Sequence, residues 1–274
     1  MHTPVLLTEV IEGLAVTKEG RYIDATAGEG GHMGAMLKMG ARVLGIDRDA
    51  SQIDGLRSRF AGVQDASFAV GNFADIASLA KEAGFAGVDG ILFDLGLSYR
   101  QLLEGKRGLS YRNEGEQLDM RLGDGDKTAG DIVRTSSVDE LEALFTEYAE
   151  EMRSRDIAIA IVSARRQRMQ TVGELTRAID RVPGTSMATY ARVFQALRIA
   201  VNDEFANLTR GLDGAAAVIG KEGRIGVISF HSLEDRIVKR HIRERGWKQI
   251  HKKAIAGNAD YRFERSAKLR IFTI

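Results

Sequence analysis

Residues able to do chemistry gather at four places in this sequence, each just after a short apolar run. The first is Asp24-Ala25-Thr26-Ala27-Gly28-Glu29-Gly30-Gly31-His32. Glycine lets a backbone turn sharply and approach a ligand with no Cβ in the way. The dinucleotide pattern GxGxxG would need glycine at position 33, where the chain has Met33. Asp24 and Glu29 make the loop acidic, which is wrong for cradling a pyrophosphate at a helix N-terminus. It suits a ligand that carries an ammonium and a sulfonium. A plain structural turn is the other reading. The second place is Asp47, 17 residues after Gly30, set to accept hydrogen bonds from two ribose hydroxyls, or else simply to start a helix, as Asp49 could. The third is Asn72-Phe73, where the ring could lie beside a nucleobase or belong to the core. The fourth is Asp94-Leu95-Gly96-Leu97-Ser98, where an acceptor would meet the donor. Together these sites favour S-adenosylmethionine over a nicotinamide dinucleotide.

The elements that must position these residues alternate. Strands are expected at Arg21–Ala27, Ala41–Ile46, Ala66–Val70 and Val88–Leu95. Helices are expected from an N-cap at Thr3 with Pro4 at its first position through Leu14, at His32–Met39, from Asp47 to about Phe60, and at Asp75–Ala83. Such βαβ units imply a parallel sheet with right-handed crossovers, and ligands then bind beyond the carboxyl ends of the strands. A stretch at 97–125, rich in glycine and in both charge signs, reads as a long loop, of the kind that is functional or disordered. The pattern is then helical from Thr128 to about Leu212, with capping boxes at Ser137/Glu140 and Thr171/Glu174. Arg224–Phe230 returns to strand character and Leu233–Arg245 is a basic helix. Stretches near 248–255 and 267–273 could form an antiparallel pair. The expected fold class is α/β, a Rossmann-like SAM-binding domain (1–103 and 201–274) interrupted by a helical domain (104–200).

Composition narrows the function. The 274 residues carry 39 Lys+Arg and 38 Asp+Glu, for a net charge of +1, and no cysteine. Disulfides, thiolate metal sites and cysteine nucleophiles are excluded, and no His/Asp cluster has metal-ligand spacing. No apolar run reaches the length of a membrane span, and the N-terminus lacks signal-peptide character, so a cytoplasmic protein with no membrane contact is expected, as a monomer or a homodimer. The charge is uneven: residues 221–274 hold 14 Lys+Arg against 6 Asp+Glu. That imbalance suits a polyanion or a solvated helix face.

These segments together resemble the RsmH/MraW family of ribosomal RNA methyltransferases. The likeness runs through HTPVLLTEV (2–10), YIDATAGEGGH (22–32), GIDRD (45–49), DGILFDLGLS (89–98), RGLSY (107–111), LDMR (118–121), EYAEE (147–151), FQALRIAVNDE (194–204), ISFHSLEDRIVKR (228–240) and RSAKLR (265–270). The resemblance implies a class I SAM-methyltransferase sheet with a helical insertion for substrate recognition. It implies SAM contacts at Gly30, Gly31, His32, Asp47, Phe73, Asp94 and Gln101, with Gly28 lining the same loop. It also implies methylation of the exocyclic N4 of a cytosine in the decoding region of 16S-type rRNA, in the assembled small subunit. The chain departs from the family at Tyr99, Arg100 and Leu103, where a second Ser, a Pro and an Asp are usual. An rRNA-binding assembly factor with little turnover is the alternative function, and an NAD oxidoreductase a more distant one.

Cytosine N4 is a poor nucleophile because its lone pair is delocalised into the ring. It must be held in line with the methyl group, where positioning can contribute about 7–11 kcal/mol at best, beside an acceptor for its N–H. Asp94 and Ser98 stand at the strand end for this, with Asp94 assigned mainly to the cofactor side and Ser98 a candidate acceptor. His231, followed by Ser232, is a further candidate to orient the base or take the proton, unless it is only a helix-start histidine. C5 methylation of a pyrimidine needs a thiolate and is excluded. The DPPY motif of DNA amino-methyltransferases is absent, since the position reads Asp94-Leu95-Gly96-Leu97. Tyr99, Tyr111, Phe230 and Arg107 are possible stacking platforms for an unpaired base. Arg236, Lys239, Arg240 and Arg243 share a helix face, and Arg153, Arg155, Arg165, Arg166 and Arg168 form a second basic group.

Overall fold

Tyr22-Ile23, Val43-Leu44 and Ile91-Leu92-Phe93 are apolar at consecutive positions, as strands covered on both faces must be. In a computed structural model, which describes residues 4–97, 106–123, 125–165, 169–261 and 264–274, they are the centre of an eight-stranded sheet. Its strands are β1 (Arg21–Asp24), β2 (Arg42–Asp47), β3 (Ala66–Val70), β4 (Val88–Asp94), β5 (Ile219–Ser229), β6 (Lys248–Gln249), β7 (Ile255–Ala256) and β8 (Lys268–Thr273). The order is β3-β2-β1-β4-β5-β8-β6, with β7 also on β8. β1 to β5 pair in parallel, and β8 runs antiparallel to β5. The order reverses between β1 and β4, so the crevice for a ligand lies beyond Asp24 and Asp94.

The chain divides into two compact units, Met1–Ser98 with Phe205–Ile274, and Tyr99–Glu204. In the first, helices cover both faces of the sheet. α1 (Leu7–Gly13), α2 (Gly31–Lys38) and α3 (Ala50–Arg59) contribute Val10, Met33, Met36, Ile53 and Leu56 to one core, which takes Val43, Leu92 and Ile228 from the strands. α4 (Ile76–Glu82) contributes Ile76 and Ala80 to the other core, which takes Leu44, Ile91, Phe93, Ile225 and Val227. Neighbouring residues such as Val43 and Leu44, or Leu92 and Phe93, thus feed opposite cores, as the period of two requires. The short terminal strands pair as an antiparallel set on β8. The same β8 also joins the main sheet on β5, which periodicity alone did not reveal.

The first helix begins later than its Thr3-Pro4 start signal suggests. Thr3 lies outside the described residues, Pro4 is not helical, and the helix opens at Leu7 after a left-handed Leu6 (φ 53°). Tertiary bonds override the local signal. Leu6 N–H donates to the buried Glu264 Oε1 at 3.3 Å, and the Val5 carbonyl faces His32 Nε2 at 2.9 Å.

The second unit packs α5 (Ala129–Thr135), α6 (Val138–Ala149), α7 (Ser154–Ala164), α8 (Val172–Ile179) and α9 (Met187–Asn202) around Phe145, Ile157, Ile161, Leu175, Val193 and Leu197. The capping boxes at Ser137/Glu140 and Thr171/Glu174 form, and others form at Thr128/Asp131 and Ser186/Thr189. Residues 106–123 have no helix, yet they are not loose. Leu118 and Met120 are buried in this core, and Asn202 accepts from Leu122 N–H and donates to the Met120 carbonyl. The chain leaves this unit at α10 (Glu204–Val218), whose Leu208, Leu212 and Ala215 rejoin the first unit's core, followed after β5 by α11 (Ser232–Arg245).

Candidate active site

The loop after β1 has the shape its glycines allow. Gly28 (φ 49°) and Gly30 (φ 75°) are left-handed, and a Cβ on Gly30 would stand 2.5 Å from Leu56 Cδ2. A Cβ on Gly31 would collide with Pro4 of the N-terminal segment. Met33, at the position where a dinucleotide fingerprint has glycine, is fully buried. Its room comes from the neighbouring strand, because a Cβ on Gly45 would lie 2.9 Å from Met33 Sδ. The small residue that lets helix and strand approach has moved from α2 to β2.

Four side chains meet beneath this loop. Asp24 is buried at the end of β1, and its Oδ2 accepts from Met33 N–H at 3.1 Å, in the first turn of α2. Its other oxygen, Oδ1, is buried with no hydrogen-bond partner among the described residues. Burial pushes this carboxyl up to about 6 from an ordinary 3.8. His32 and the backbone amides of Thr26 and Met33 pull the other way, and the charge of Asp94 adds to the rise. His32 is also buried, and burial holds its imidazole below the ordinary range despite the attraction of Asp24. A neutral ring that donates from Nε2 to the Val5 carbonyl turns the lone pair of Nδ1 toward Asp94 Oδ2, 3.9 Å away. Asp94 is fixed from behind, because its N–H donates to Thr26 Oγ1 at 2.6 Å. Carboxylate oxygens of Asp24 and Asp94 and a nitrogen lone pair of His32 therefore face one small region. Such a set fits a ligand that brings positive charge, and an ammonium with a sulfonium meets that need.

Asp47 ends β2, where its Oδ2 accepts from Gly28 N–H and its Oδ1 from Asp49 N–H, both at 2.9 Å. Burial raises its pKa and these amides oppose the rise. A carboxylate has about four lone-pair sites, so two remain for a diol. Asp49 takes the helix-start role, accepting from Ser51 N–H as the N-cap of α3. Asn72 caps a short turn by accepting from Ala74 N–H. Phe73 stacks edge-on against Phe93, with ring centroids 5.7 Å apart, and a Cβ on Gly211 would lie 2.8 Å from it. Its ring is packed against the second core and partly exposed, which realises the core reading of Phe73.

His231 stands one strand further along, after β5. Its Nδ1 accepts from Glu234 N–H at 3.3 Å as the N-cap of α11, and Nε2 lies 3.1 Å from Glu234 Oε1. The helix-start reading of this histidine is thus realised in the structure. Ser232 is exposed in the first helical turn. Phe230 lies against Gly96, whose Cβ would be 2.7 Å from the ring. Ser98 and Gln101 lie outside the described residues, as do Tyr99, Arg100, Leu103, Arg166 and Arg168. The described arginines of the second basic group are engaged: Arg153 with the Pro183 and Gly184 carbonyls, Arg155 with Asp139 and Glu142, and Arg165 with the Ser136 carbonyl. The residue that sequence reasoning undervalued is Asp24. It read as loop charge, and the signal that marked it was an aspartate closing an otherwise apolar strand.

The sheet order, the glycine loop at the switch point and the acidic floor define a doubly wound α/β enzyme for a nucleoside ligand carrying positive charge. Residues 1–273 match the profile of the MraW methylase family. The chain is 44% identical to ribosomal RNA small subunit methyltransferase H of Deinococcus deserti, over 88% of this chain and 81% of that protein. It is 40% identical to the enzyme of the same name from Coprothermobacter proteolyticus, over 99% and 95% respectively. Among solved structures it is similar to Aeropyrum pernix fibrillarin, with a TM-score of 0.46 and 10% identity, over 98% of this chain and 74% of that one. The chain belongs to the MraW methylase family and is a methyltransferase. Among the described residues no helix is long and apolar enough to cross a membrane.

Proposed function

We propose that this enzyme uses S-adenosylmethionine to methylate the exocyclic N4 of a cytosine in the decoding region of small-subunit rRNA. The observation that carries the reading is the buried, unpartnered Oδ1 of Asp24 beside Asp94 and His32, under a glycine loop of the MraW methylase family. The relatives' rRNA activity supports the substrate class. The family resemblance and the absence of cysteine support N4 over a ring carbon.

The roles follow from position. Gly28, Gly30 and Gly31 bring backbone close to the cofactor, and Asp47 holds the ribose diol. Asp24 neutralises the ammonium, and Phe73 flanks the base. When bound, the cofactor supplies an electrophilic methyl group on a sulfonium. Asp94, at the end of β4, accepts a hydrogen bond from N4–H and stabilises positive charge growing there, worth about 2.7–4 kcal/mol if it behaves like a single oxyanion-type contact of opposite sign. Ser98, from its place after the strand end, is a candidate acceptor, and Gln101 keeps the cofactor contact the resemblance implies. His231, through its cap, fixes the start of α11 beside the site. The Tyr99–Glu204 unit is the region for recognising RNA.

The test supplies labelled S-adenosylmethionine and small ribosomal subunits from cells lacking the enzyme, with nucleoside mass spectrometry of the product. The expected product is N4-methylcytidine, lost in Asp94→Ala. Label in another nucleoside would overturn the N4 assignment. Tight subunit binding with no transfer would favour the assembly-factor alternative.

A further inference from the structure

α11 carries exposed cations at Lys239, Arg240 and Arg243 that no described residue pairs with. Its inward face buries Leu233, Val238, His241 and Ile242. The two acids of its first turn are also turned inward and satisfied. Glu234 Oε2 accepts from Phe230 N–H at 2.8 Å, and Asp235 pairs with buried Arg270, Nε to Oδ1 2.5 Å. The helix repeat then places Arg236, Lys239, Arg240 and Arg243 on the opposite face, all exposed. Lys239, Arg240 and Arg243 form no ion pair among the described residues, and Glu244 in the last turn pairs with none of them. Arg245 differs, because it is engaged by Asp213. From position 236 to 243 the stripe runs about 10 Å along the axis. Just past the helix, Lys248, Lys252 and Lys253 are exposed as well.

A helix that only needed solvation would keep its acids outside, where they would screen these cations and add i,i+4 pairs. Here the two acids of the first turn are drawn into a cap and a buried pair, so the outward positions from Arg236 to Arg243 carry cations alone, with the exposed Glu244 following in the last turn. The helix begins at His231, at the same end of the sheet as the crevice. The stripe therefore leads away from the place where a target nucleotide would enter.

We infer that the outward stripe Arg236-Lys239-Arg240-Arg243 of α11 anchors the sugar–phosphate backbone of the RNA substrate next to the target nucleotide, independently of sequence. The inference rests on the RNA reading of the site above and adds to it where the polynucleotide lies. Such contacts release counterions, with a slope of about 0.7 per phosphate for a single strand and 0.9 for a duplex.

The experiment compares the full chain with the triple variant Lys239→Gln, Arg240→Gln, Arg243→Gln, and with a control that neutralises the exposed Lys18, Lys38 and Lys81. Binding of unmethylated small subunits and of a labelled single-stranded rRNA fragment is titrated at several salt concentrations. Calorimetry with S-adenosylmethionine checks the cofactor site in each protein. The stripe variant is expected to lose about 2–3 units of log–log salt slope and to bind about 10- to 50-fold more weakly at 0.15 M salt, with cofactor affinity unchanged. The control is expected to keep the wild-type slope. Equal losses in both variants would reduce the effect to net charge and overturn the inference, as would no loss in either. Loss of binding to phosphatidylglycerol vesicles, with RNA binding intact, would assign the stripe to a membrane surface instead. Wild-type protein that methylates rRNA while the stripe variant keeps its full slope would sink this inference alone. Wild-type protein that neither binds nor methylates RNA would sink the functional reading.

Discussion

Replacing Asp24 by Asn should make the ligand-free protein more stable at pH 8 while weakening its hold on S-adenosylmethionine. The carboxyl sits about two pH units above its ordinary value, near 6 instead of 3.8, chiefly because it is buried, with the charge of Asp94 adding to the rise. Each unit is worth about 1.4 kcal/mol, so ionising it in the folded protein costs about 3 kcal/mol. The folded state holds this proton more tightly than the unfolded state. Stability from this group is therefore complete below about pH 4 and is lost as pH rises through 6. Asn keeps an oxygen for Met33 N–H and carries no charge. The variant should gain up to about 3 kcal/mol over wild type at pH 8 and almost nothing at pH 4. The ligand's ammonium would lose its buried counter-charge, weakening binding by about 10- to 100-fold, as expected for a charged hydrogen bond of about 1.5–3 kcal/mol. Urea unfolding at both pH values, with and without S-adenosylmethionine, reads both effects, and an unchanged m value keeps the comparison sound. A variant less stable than wild type at pH 8, or one that binds the cofactor as well as wild type, would refute the reasoning.

Gly30→Ala should lower stability by about 1–2 kcal/mol and weaken cofactor binding, because φ is 75° and the new methyl meets Leu56; thermal melts and calorimetry check both. Asp235→Asn leaves Arg270 buried without its counter-charge, and a loss of about 3–5 kcal/mol is expected in chemical denaturation. His231→Ala removes a helix cap and should cost about 1 kcal/mol. If that cap is its whole role, His231→Asn restores stability and turnover together, whereas stability without turnover would give the imidazole a part in the chemistry. Asp94→Asn should lower kcat by about 100-fold or more with a smaller change in cofactor affinity, read from single-turnover methyl transfer.

The doubly wound sheet was legible because hydrophobic period and turn chemistry are local. Val43-Leu44 and Leu92-Phe93 announce strands covered on both faces, and Gly28 and Gly30 announce a left-handed turn. The boxes at Ser137 and Thr171 were equally plain, since a cap needs only residues three apart. Local signals failed where distant groups competed. Thr3-Pro4 signals a helix start, but bonds to Glu264 and His32 hold Val5 and Leu6 in a turn, with Leu6 left-handed, ahead of the helix. β8 read as part of a terminal pair, and its place beside β5 depends on a partner about forty residues away in sequence.

Sequence alone determined the class of chemistry. An acidic glycine loop without the third glycine disfavours a pyrophosphate, and the lack of cysteine removes the thiolate route. Tertiary structure alone decided which acid matters most. Asp24, Glu29 and Asp94 look alike as letters, but only folding buries Asp24 with one oxygen unanswered and leaves Glu29 in solvent. The same holds for Glu234 and Asp235, whose inward turn leaves the outward positions of α11 from Arg236 to Arg243 cationic. Charge is written in the sequence, but the free energy of a charge depends on the water and partners around it, and those exist only once the chain has folded.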